Sequence, residues 1–293
     1  MPASFLEPTL LRRLERLDLL SRRRVSHAVK GERRSSQRGT SVNFVDYRQY
    51  VPGDDVNQID WNVYGRLDTL VVKLFEDEQN VTVHILVDNS RSMDWGEPNK
   101  LQLALQLAGA LGYVGLSNFD RVQCATFSDT IGASFGPARN QREAQNLFAY
   151  LSAIEARGET NFETSLRIYA AQNRRPGTAI IITDLLSHSS FENGIRYLLE
   201  RRYDVVLLHL LAPAEVHPAL GGDLKLIDRE TGKYVDVTLN QRAVSLYAER
   251  YTRWTNALEA FCGRHGILYE RIESSEPVDR LIFQTFRKRG LVA

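Results

Sequence analysis

Oxygen-bearing side chains cluster in three short stretches of the sequence. The first is Asp88-Asn89-Ser90-Arg91-Ser92, a D-x-S-x-S sequence that directly follows an apolar run. The second is the predicted loop Gly158-Glu159-Thr160-Asn161, and the third is Asp184, at the end of another apolar run. In open parallel sheets, ligands bind beyond the carboxyl ends of the strands, so these stretches are the first candidates for chemistry.

The carboxylates of Asp88 and Asp184 and the three hydroxyls in these stretches suit a hard cation. Mg²⁺ prefers small oxygen ligands in an octahedron and commonly keeps part of its water, whereas a soft metal finds no thiolate here. Two acidic side chains only balance the charge of Mg²⁺, so the ion can accept one more anionic ligand, such as a carboxylate of a partner protein. The sequence predicts a site for Mg²⁺, with Mn²⁺ as a possible substitute, formed by Asp88, Ser90, Ser92, Thr160 and Asp184.

The elements that position these residues alternate along the chain. Continuous apolar runs rich in β-branched residues predict buried parallel strands, and a period of 3.6 residues predicts helices between them. We therefore expect an α/β fold with a doubly wound, mostly parallel sheet. The predicted strands are Val81–Val87, Arg121–Phe127, Thr130–Phe135, Thr178–Thr183, Val205–Leu211 and Ile267–Ile272; the predicted helices are Leu101–Leu116, Gln141–Ile154, Phe162–Gln172, Phe191–Arg201, Arg242–Arg264 and Val278–Lys288.

Three segments are predicted along the chain. Residues 1–38 form an N-terminal helix with a basic loop, residues 39–78 a small β-rich segment, and residues 79–293 the main α/β domain. Within that domain, Leu224–Ile227 and Tyr234–Leu239 flank the turn sequence Asp228-Arg229-Glu230-Thr231-Gly232, which predicts a β-hairpin insertion near 222–240.

The N-terminal segment leaves two interpretations open. Leucines between Phe5 and Leu20 fall on one helical face, and Arg22-Arg23-Arg24, Arg33-Arg34 and Arg38 follow. The simpler interpretation is a solvated, partly mobile lead-in, and the sharper one is a docking surface for an acidic partner or nucleic acid. Arg48, Asp54, Asp55, Asp60 and Arg66 are better explained as a polar network that fixes this irregular segment against the main domain than as catalytic groups.

Bulk properties exclude several classes of protein. The 293 residues are 43% hydrophobic, enough for one large core, and the formal net charge of +1 provides no global basic field, so no nucleic-acid binding is expected. The only cysteines, Cys124 and Cys262, fall in a predicted strand and a predicted helix and cannot form a disulfide framework. Without a long apolar run or a secretion signal, we expect a cytoplasmic protein that is not inserted in a membrane.

The three stretches resemble the metal-ion-dependent adhesion site of the von Willebrand factor A family. That site combines D-x-S-x-S, a later threonine and an aspartate at a later strand end, all present here in order. The resemblance implies that Ser90, Ser92 and Thr160 bind the metal directly, that Asp88 and Asp184 act directly or through water, and that a partner's Glu or Asp completes the shell. Residues beside these ligands are candidates for contacting the partner: Asn89, Arg91, Glu159 and Asn161.

An upstream signature narrows the resemblance. The signature consists of Phe44-Val45-Asp46-Tyr47-Arg48-Gln49-Tyr50, Pro52-Gly53-Asp54-Asp55, Ile59-Asp60-Trp61 and Arg66. It is similar to the signature of the bacterial family called domain of unknown function 58. Its members are commonly associated with AAA+ ATPases of the MoxR type, which the resemblance implies as a partner. By analogy with the fold class, the last helix is a candidate two-state element that shifts with metal occupancy.

Three residues depart from the family pattern. Asn57 stands where arginine is usual, Glu159 replaces the second glycine of a G-G-T loop, and Leu185 follows Asp184 where many A domains have glycine. Glu159 would crowd the metal site or change its charge.

Enzyme interpretations find less support. A phosphatase of the haloacid dehalogenase type needs an acidic residue two positions after the nucleophile, where this chain has Ser90. Gly132-Ala133-Ser134-Phe135-Gly136 matches G-x-S-x-G, but Pro137 follows where a nucleophile elbow requires a helix. His84 is expected to be a hydrogen-bonded core residue and His188 an exposed loop residue. The sequence favours a binding module over an enzyme, with a metal-independent scaffold as the alternative and a metal-dependent hydrolase less favoured.

Overall fold

The computed structural model describes residues 5–19, 44–52, 54, 56, 59–75, 82–187, 189–218, 222–228 and 232–293. They fall into two compact units, one formed by Lys30–Asn80 and the other by Met1–Val29 with Val81–Ala293. Some of the residues singled out above lie outside the described ones: Arg22–Arg24, Arg33, Arg34, Arg38, Asp55, Asn57 and His188.

A six-stranded, mostly parallel sheet forms the centre of the larger unit. The strands are β3 (Thr82–Asp88), β4 (Arg121–Phe127), β5 (Ile131–Ala138), β6 (Thr178–Thr183), β7 (Asp204–Leu211) and β10 (Leu268–Glu273). Their order in the sheet is β10-β7-β6-β3-β4-β5, and every neighbouring pair is parallel except β4 and β5. The predicted mixed α/β fold with a mostly parallel sheet is confirmed.

Helices cover both faces of this sheet. In the larger unit they are α1 (Pro8–Leu14), α3 (Lys100–Ser117), α4 (Ala144–Ser152), α5 (Phe162–Gln172), α6 (Phe191–Glu200), α7 (Pro213–Val216), α8 (Gln241–His265), α9 (Val278–Arg280) and α10 (Arg287–Arg289), with a 3-10 turn at Gln141–Glu143 and a π-helical stretch at Leu281–Phe286. Ile85 belongs to a core with α3, and its neighbour Leu86 to a second core with α5, α6 and α8. Because adjacent residues of β3 pack into different cores, the strand is buried on both faces, and its side chains at Val83 and Ile85–Val87 are apolar.

The strand order turns around at β3. The chain runs from β3 through β4 to β5 at one edge, and then from β6 through β7 to β10 at the other edge. Strands β3 and β6 are therefore neighbours although 89 residues separate the end of β3 from the start of β6. A crevice at the carboxyl ends of two such strands is where open α/β sheets bind ligands.

The G-x-S-x-G sequence lies inside β5. This strand is the antiparallel edge of the sheet, and Ser134 pairs with Ala125 of β4. A nucleophile elbow requires a strand, a sharp turn and a helix, and the described chain continues here as a strand to Ala138.

The N-terminal helix is part of the main core. Leu6, Leu14, Leu17 and Leu19 are buried in the same cluster as α3, and Leu19 forms an antiparallel bridge with Val292. The prediction of a solvated lead-in is therefore wrong for residues 5–19, because the leucine face packs against the domain instead of facing water. The helix is also shorter than the predicted run from Phe5 to Leu20.

The described residues of the smaller unit include a two-stranded antiparallel sheet and a helix. Strands β1 (Phe44–Gln49) and β2 (Val71–Phe75) pair, and α2 spans Trp61–Leu67. The Asp60 side chain caps α2 by accepting from the amides of Asn62 and Val63, and it also accepts from the Tyr47 hydroxyl at 3.0 Å. Arg48 pairs with Asp54 at 2.7 Å. These polar contacts lie within the segment itself, and the network expected against the main domain stays a prediction.

The predicted hairpin is confirmed as β8 (Gly222–Ile227) and β9 (Tyr234–Leu239), which pair in antiparallel register. Across the described parts of the chain, no helix has both the length and the apolar character needed to cross a membrane.

His84 occupies the core position predicted for it. It is buried in β3, and its Nε2 lies 3.1 Å from the carbonyl of Arg175, which can only accept, so Nε2 carries the proton. Nδ1 then accepts from the Tyr169 hydroxyl at 2.8 Å. Burial, helped by the charge of Arg121 and opposed by the Arg175 hydrogen bond, lowers the pKa of His84 from 6.5 to about 4.

This shift predicts a contribution to acid lability. Because the folded-state pKa is depressed, His84 stabilises the fold fully above pH 6.5, and the contribution disappears as the pH falls from 6.5 to about 4. This contribution of His84 to the free energy of unfolding is about 3 kcal/mol. The measurement is urea unfolding of the wild type and His84→Gln between pH 4 and 7, and the variant should lose less stability on acidification. Parallel curves for the two proteins would contradict the assignment.

Candidate functional site

The D-x-S-x-S turn and the Thr160 loop are joined at the carboxyl end of the sheet. The amide of Asn89 donates to the carbonyl of Phe127 at the end of β4. The amide of Arg91 donates to the Gly158 carbonyl at 3.2 Å, and the amide of Arg157 donates to the Asn89 carbonyl at 2.7 Å. These backbone hydrogen bonds bring together loops that lie about seventy residues apart in the sequence, as the contact between Asp88 and Thr160 requires.

Asp88 is the centre of the polar cluster. It is the last residue of β3 and has no exposed surface. Its Oδ1 accepts from the amide of Ser90 at 2.9 Å, its Oδ2 accepts from the Thr183 hydroxyl at 2.7 Å, and the Thr160 hydroxyl lies 3.3 Å from Oδ2. The hydroxyls of Ser90 and Ser92 are hydrogen-bonded to each other at 3.0 Å. Four of the five predicted ligands are thereby shown to lie in one connected cluster.

The protonation of Asp88 reflects this burial. Removal from water, followed by the negative charge of Asp184, raises its pKa from 3.8 to about 7. The hydrogen bonds from Ser90 and Thr183 act in the opposite direction, because they stabilise the carboxylate. The influence of Asp184 on the pKa of Asp88 places the fifth predicted ligand within electrostatic reach of Asp88.

Asp184 is held from several sides. Its Oδ1 accepts from the amide of Leu186 at 3.0 Å, its Oδ2 accepts from the ammonium of Lys100 at 2.8 Å, and its backbone carbonyl lies 3.1 Å from Nε2 of His209. Leu185, the departure noted in the sequence, has φ +57°. This left-handed conformation explains why glycine is usual there, since a residue with a Cβ adopts it only at a cost of about 1 kcal/mol.

Lys100 and Glu215 adjoin the cluster, and the sequence analysis did not single them out. The Lys100 ammonium is fully buried, 2.8 Å from Asp184 and 2.6 Å from Glu215. Burial alone would lower the pKa of Lys100, but the two carboxylates outweigh it and raise the pKa above its ordinary value. One signal was present: a lysine at the first position of a helix opposes the helix dipole, which indicates a compensating carboxylate. Glu215 carried no such signal, because only the fold brings it within reach.

The donor set fits a hard cation. Ser90, Ser92, Thr160, Asp88 and Asp184 supply only oxygen, and all five are buried, with exposed fractions of 8% or less. No group of three or more His, Cys, Asp and Glu side chains suited to a metal occurs within the described residues. Lys100 limits how Asp184 can bind a cation, since its ammonium already occupies one carboxylate oxygen of Asp184.

The four candidate partner-contacting residues differ in their surroundings. Arg91 and Glu159 are exposed, so Glu159 does not fill the interior of the site. Asn161 is half-buried and caps α5 by accepting from the amide of Thr164 at 3.0 Å. Asn89 is only 3% exposed, and its side-chain amide donates to the Glu155 carbonyl at 2.9 Å, which places it inside the loop framework.

Comparison of the sequence with known proteins gives one family and several relatives. The family model described as "Protein of unknown function DUF58" matches residues 46–268, more than half of the chain. Uncharacterized proteins of Mycobacterium tuberculosis and Mycobacterium bovis are each 26% identical over 232 residues, covering 77% of this chain and 73% of theirs.

The solved structures to which this chain is similar are more distant in sequence. The conserved hypothetical protein BatB from Bacteroides thetaiotaomicron is 17% identical and has a TM-score of 0.45, with 71% of this chain and 98% of that chain covered. An aerotolerance-related membrane protein from Bacteroides fragilis is 19% identical with a TM-score of 0.44, covering 71% and 99%. Proximal thread matrix protein 1 from the mussel byssus, with a zinc-occupied MIDAS motif, is 15% identical with a TM-score of 0.36, covering 45% and 38%. These TM-scores lie below 0.5, so the site rests on the geometry of this chain.

Thr183 gives a direct test of the cluster around Asp88. Its hydroxyl donates to Asp88 and accepts from the amide of Leu185 at 3.0 Å. Thr183→Val keeps the shape but leaves both buried groups without this partner, and should lower the free energy of unfolding by about 1–3 kcal/mol. Thr183→Ser keeps the hydroxyl and serves as the control, with a smaller loss. Chemical denaturation checks both variants, and equal losses for Val and Ser would contradict the importance of the hydroxyl.

Proposed function

We propose a function for this chain on the premise, shown by the match to its family model, that it belongs to the family described as protein of unknown function DUF58. The function is metal-dependent recognition of a partner protein, in which a bound Mg²⁺ accepts an acidic side chain of the partner. In this proposal the larger unit is a doubly wound domain of the von Willebrand factor A type. Ser90, Ser92 and Thr160 bind the metal directly, and Asp88 and Asp184 do so directly or through water.

One observation carries the proposal: four predicted ligands from separate stretches of the sequence, Asp88, Ser90, Ser92 and Thr160, lie in one buried hydrogen-bonded cluster at the carboxyl end of β3. Buried hydroxyls and carboxylates without a large apolar pocket are of little use for binding an organic substrate, whereas they are suitable ligands for a hard cation.

The charge of the donor set favours recognition over hydrolysis. Three of the five donors are neutral hydroxyls, and Lys100 offsets part of the charge of Asp184. When bound, the cation supplies a coordination position that remains attractive to an anion, and a Glu or Asp of the partner completes it. The exposed Arg91 and Glu159 stand beside the site and are suited to contacting that partner.

A second candidate function is a metal-independent interaction scaffold. It is favoured by the same Lys100, because a buried ammonium already compensates Asp184 and the members of the polar cluster donate and accept hydrogen bonds among themselves. A metal-dependent hydrolase is less favoured. The two main candidates predict different effects of EDTA on partner binding.

The partner and the moving element come from the resemblance. We propose an AAA+ ATPase of the MoxR type as the partner, acting with this chain in the assembly or maturation of a complex. We also propose that the C-terminal segment, Val278–Lys288, shifts with metal and partner. Its π-helical stretch, Leu281–Phe286, is consistent with such a role, because π-helical turns are rare and often occur at functional sites.

Replacing Asp88 tests the metal-dependent function. Asp88→Ala removes the central carboxylate, so we expect Mg²⁺ binding measured by calorimetry to be lost while cooperative unfolding remains. Asp129→Ala, which removes an exposed carboxylate outside the donor set, should bind Mg²⁺ as the wild type does.

The same proteins are then used as bait in affinity capture from native cell extract. An AAA+ ATPase retained by the wild type and by Asp129→Ala in Mg²⁺, but neither in EDTA nor by Asp88→Ala, is the expected result. Retention by all three proteins in both Mg²⁺ and EDTA would overturn the metal-dependent function in favour of the scaffold.

A further inference from the structure

We propose that Lys100 is a specificity-determining residue: its buried ammonium sets the charge of the metal site so that the bound cation takes a carboxylate as its additional ligand. The inference rests on the proposed function and adds to it a residue that no part of the metal-site motif contains.

The geometry places Lys100 beside the donor set without making it a donor. Its Nζ lies 2.8 Å from Oδ2 of Asp184 and 2.6 Å from Oε1 of Glu215, and its side chain is fully buried. The ring of Trp95 lies beneath the ammonium, with its centroid 5.8 Å away. An ammonium enclosed in this way is screened little by solvent, so its charge acts on the neighbouring site at close to full strength.

Glu215 is held in place independently of Lys100. Its Oε2 accepts from the amide of Ala212 at 2.7 Å, and its backbone carbonyl accepts from the Tyr247 hydroxyl of α8. The ion pair thus joins the first turn of α3, the end of β6 and the short helix α7. Lys100 cannot move away from Asp184 without leaving one buried carboxylate, Asp184, and one partly buried carboxylate, Glu215, unbalanced, which is strongly unfavourable.

The charge count explains what this arrangement does for ligand choice. With Asp88 ionised, as metal binding requires, Asp88, Asp184, Glu215 and Lys100 together carry a net charge of minus two, which one divalent cation neutralises. Without Lys100, the same site with its cation would carry a net negative charge and repel a carboxylate. Lys100 therefore lowers the affinity for the metal alone and raises the acceptance of an anionic ligand by the bound metal.

A purely structural ion pair would also stabilise the fold, so stability alone does not test the inference. Lys100→Met removes the positive charge and keeps most of the side-chain length. Glu215→Gln removes a negative charge from the other side of the same pair. Arg289→Met is the matched control, because it breaks the pair between Arg289 and Glu270, which lies outside the site. Cooperative thermal unfolding in EDTA establishes that each variant is folded.

The measurement is Mn²⁺ binding to the full chain, followed by the water-proton relaxation of the bound ion, with acetate as the carboxylate probe. Lys100→Met should bind Mn²⁺ roughly tenfold more tightly than the wild type and Glu215→Gln roughly tenfold more weakly. Arg289→Met should match the wild type. Acetate displaces water from the bound ion, and in Lys100→Met this displacement should require a higher acetate concentration.

The outcomes separate the two proposals. If the wild type binds Mn²⁺ and both charge variants bind it with unchanged affinity, Lys100 is only structural and the inference fails while the proposed function stands. If the wild type binds no Mn²⁺, both fail. If Lys100→Met does not fold, Glu215→Gln decides: weaker Mn²⁺ binding supports the inference, and unchanged binding overturns it.

Discussion

Asp88 carries a carboxylate without exposed surface at the end of the central strand β3, and the loops around it have to supply its hydrogen bonds. A buried charge without partners costs several kcal/mol, so the amide of Ser90 and the hydroxyl of Thr183 have to come within hydrogen-bond distance. They belong to the ends of neighbouring strands, which are adjacent only because the strand order turns around at β3. The order of the strands in the sheet and the hydrogen bonding of the Asp88 side chain therefore depend on each other.

The same constraint extends to Asp184 and from there to the rest of this end of the sheet. Burial and, after it, the negative charge of Asp184 raise the pKa of Asp88, and Asp184 is itself balanced by Lys100 at the start of α3. Lys100 in turn holds Glu215, whose backbone carbonyl contacts Tyr247 in the first part of α8. A connected set of charges and hydrogen bonds thus links the D-x-S-x-S turn to the helix that follows the hairpin. In the proposed function, a cation bound at this turn would act on every member of that set.

Much of the fold was predictable because the buried strands have a strong local pattern. The bounds of β4, α5 and β6 agree with the prediction to the residue, since continuous apolar runs and helical periodicity are local properties of the sequence. The interpretation of the N-terminal segment as a solvated lead-in was wrong for residues 5–19, because the leucine face shows that something covers it without showing what. The D-x-S-x-S turn and Thr160 were found through residue types and order, which the structure brings together in one cluster.

The rest of the site depends on contacts that no local pattern encodes. Lys100 and Glu215 lie 115 positions apart and meet only in the folded chain. Leu185 appeared as a departure from the family pattern, and its positive φ shows that the backbone keeps the conformation for which glycine is usual. Thr183 adjoins Asp184 in the sequence, but its hydrogen bond to Asp88 requires the pairing of β3 with β6.

The central claim is that the strand-end cluster is a metal site, and anomalous diffraction from a crystal of this chain soaked in Mn²⁺ tests it most directly. The account predicts one strong anomalous peak within coordination distance of the hydroxyls of Ser90, Ser92 and Thr160, with Lys100 still paired to Asp184. No peak there at saturating Mn²⁺, or a peak only at another place in the molecule, would contradict it.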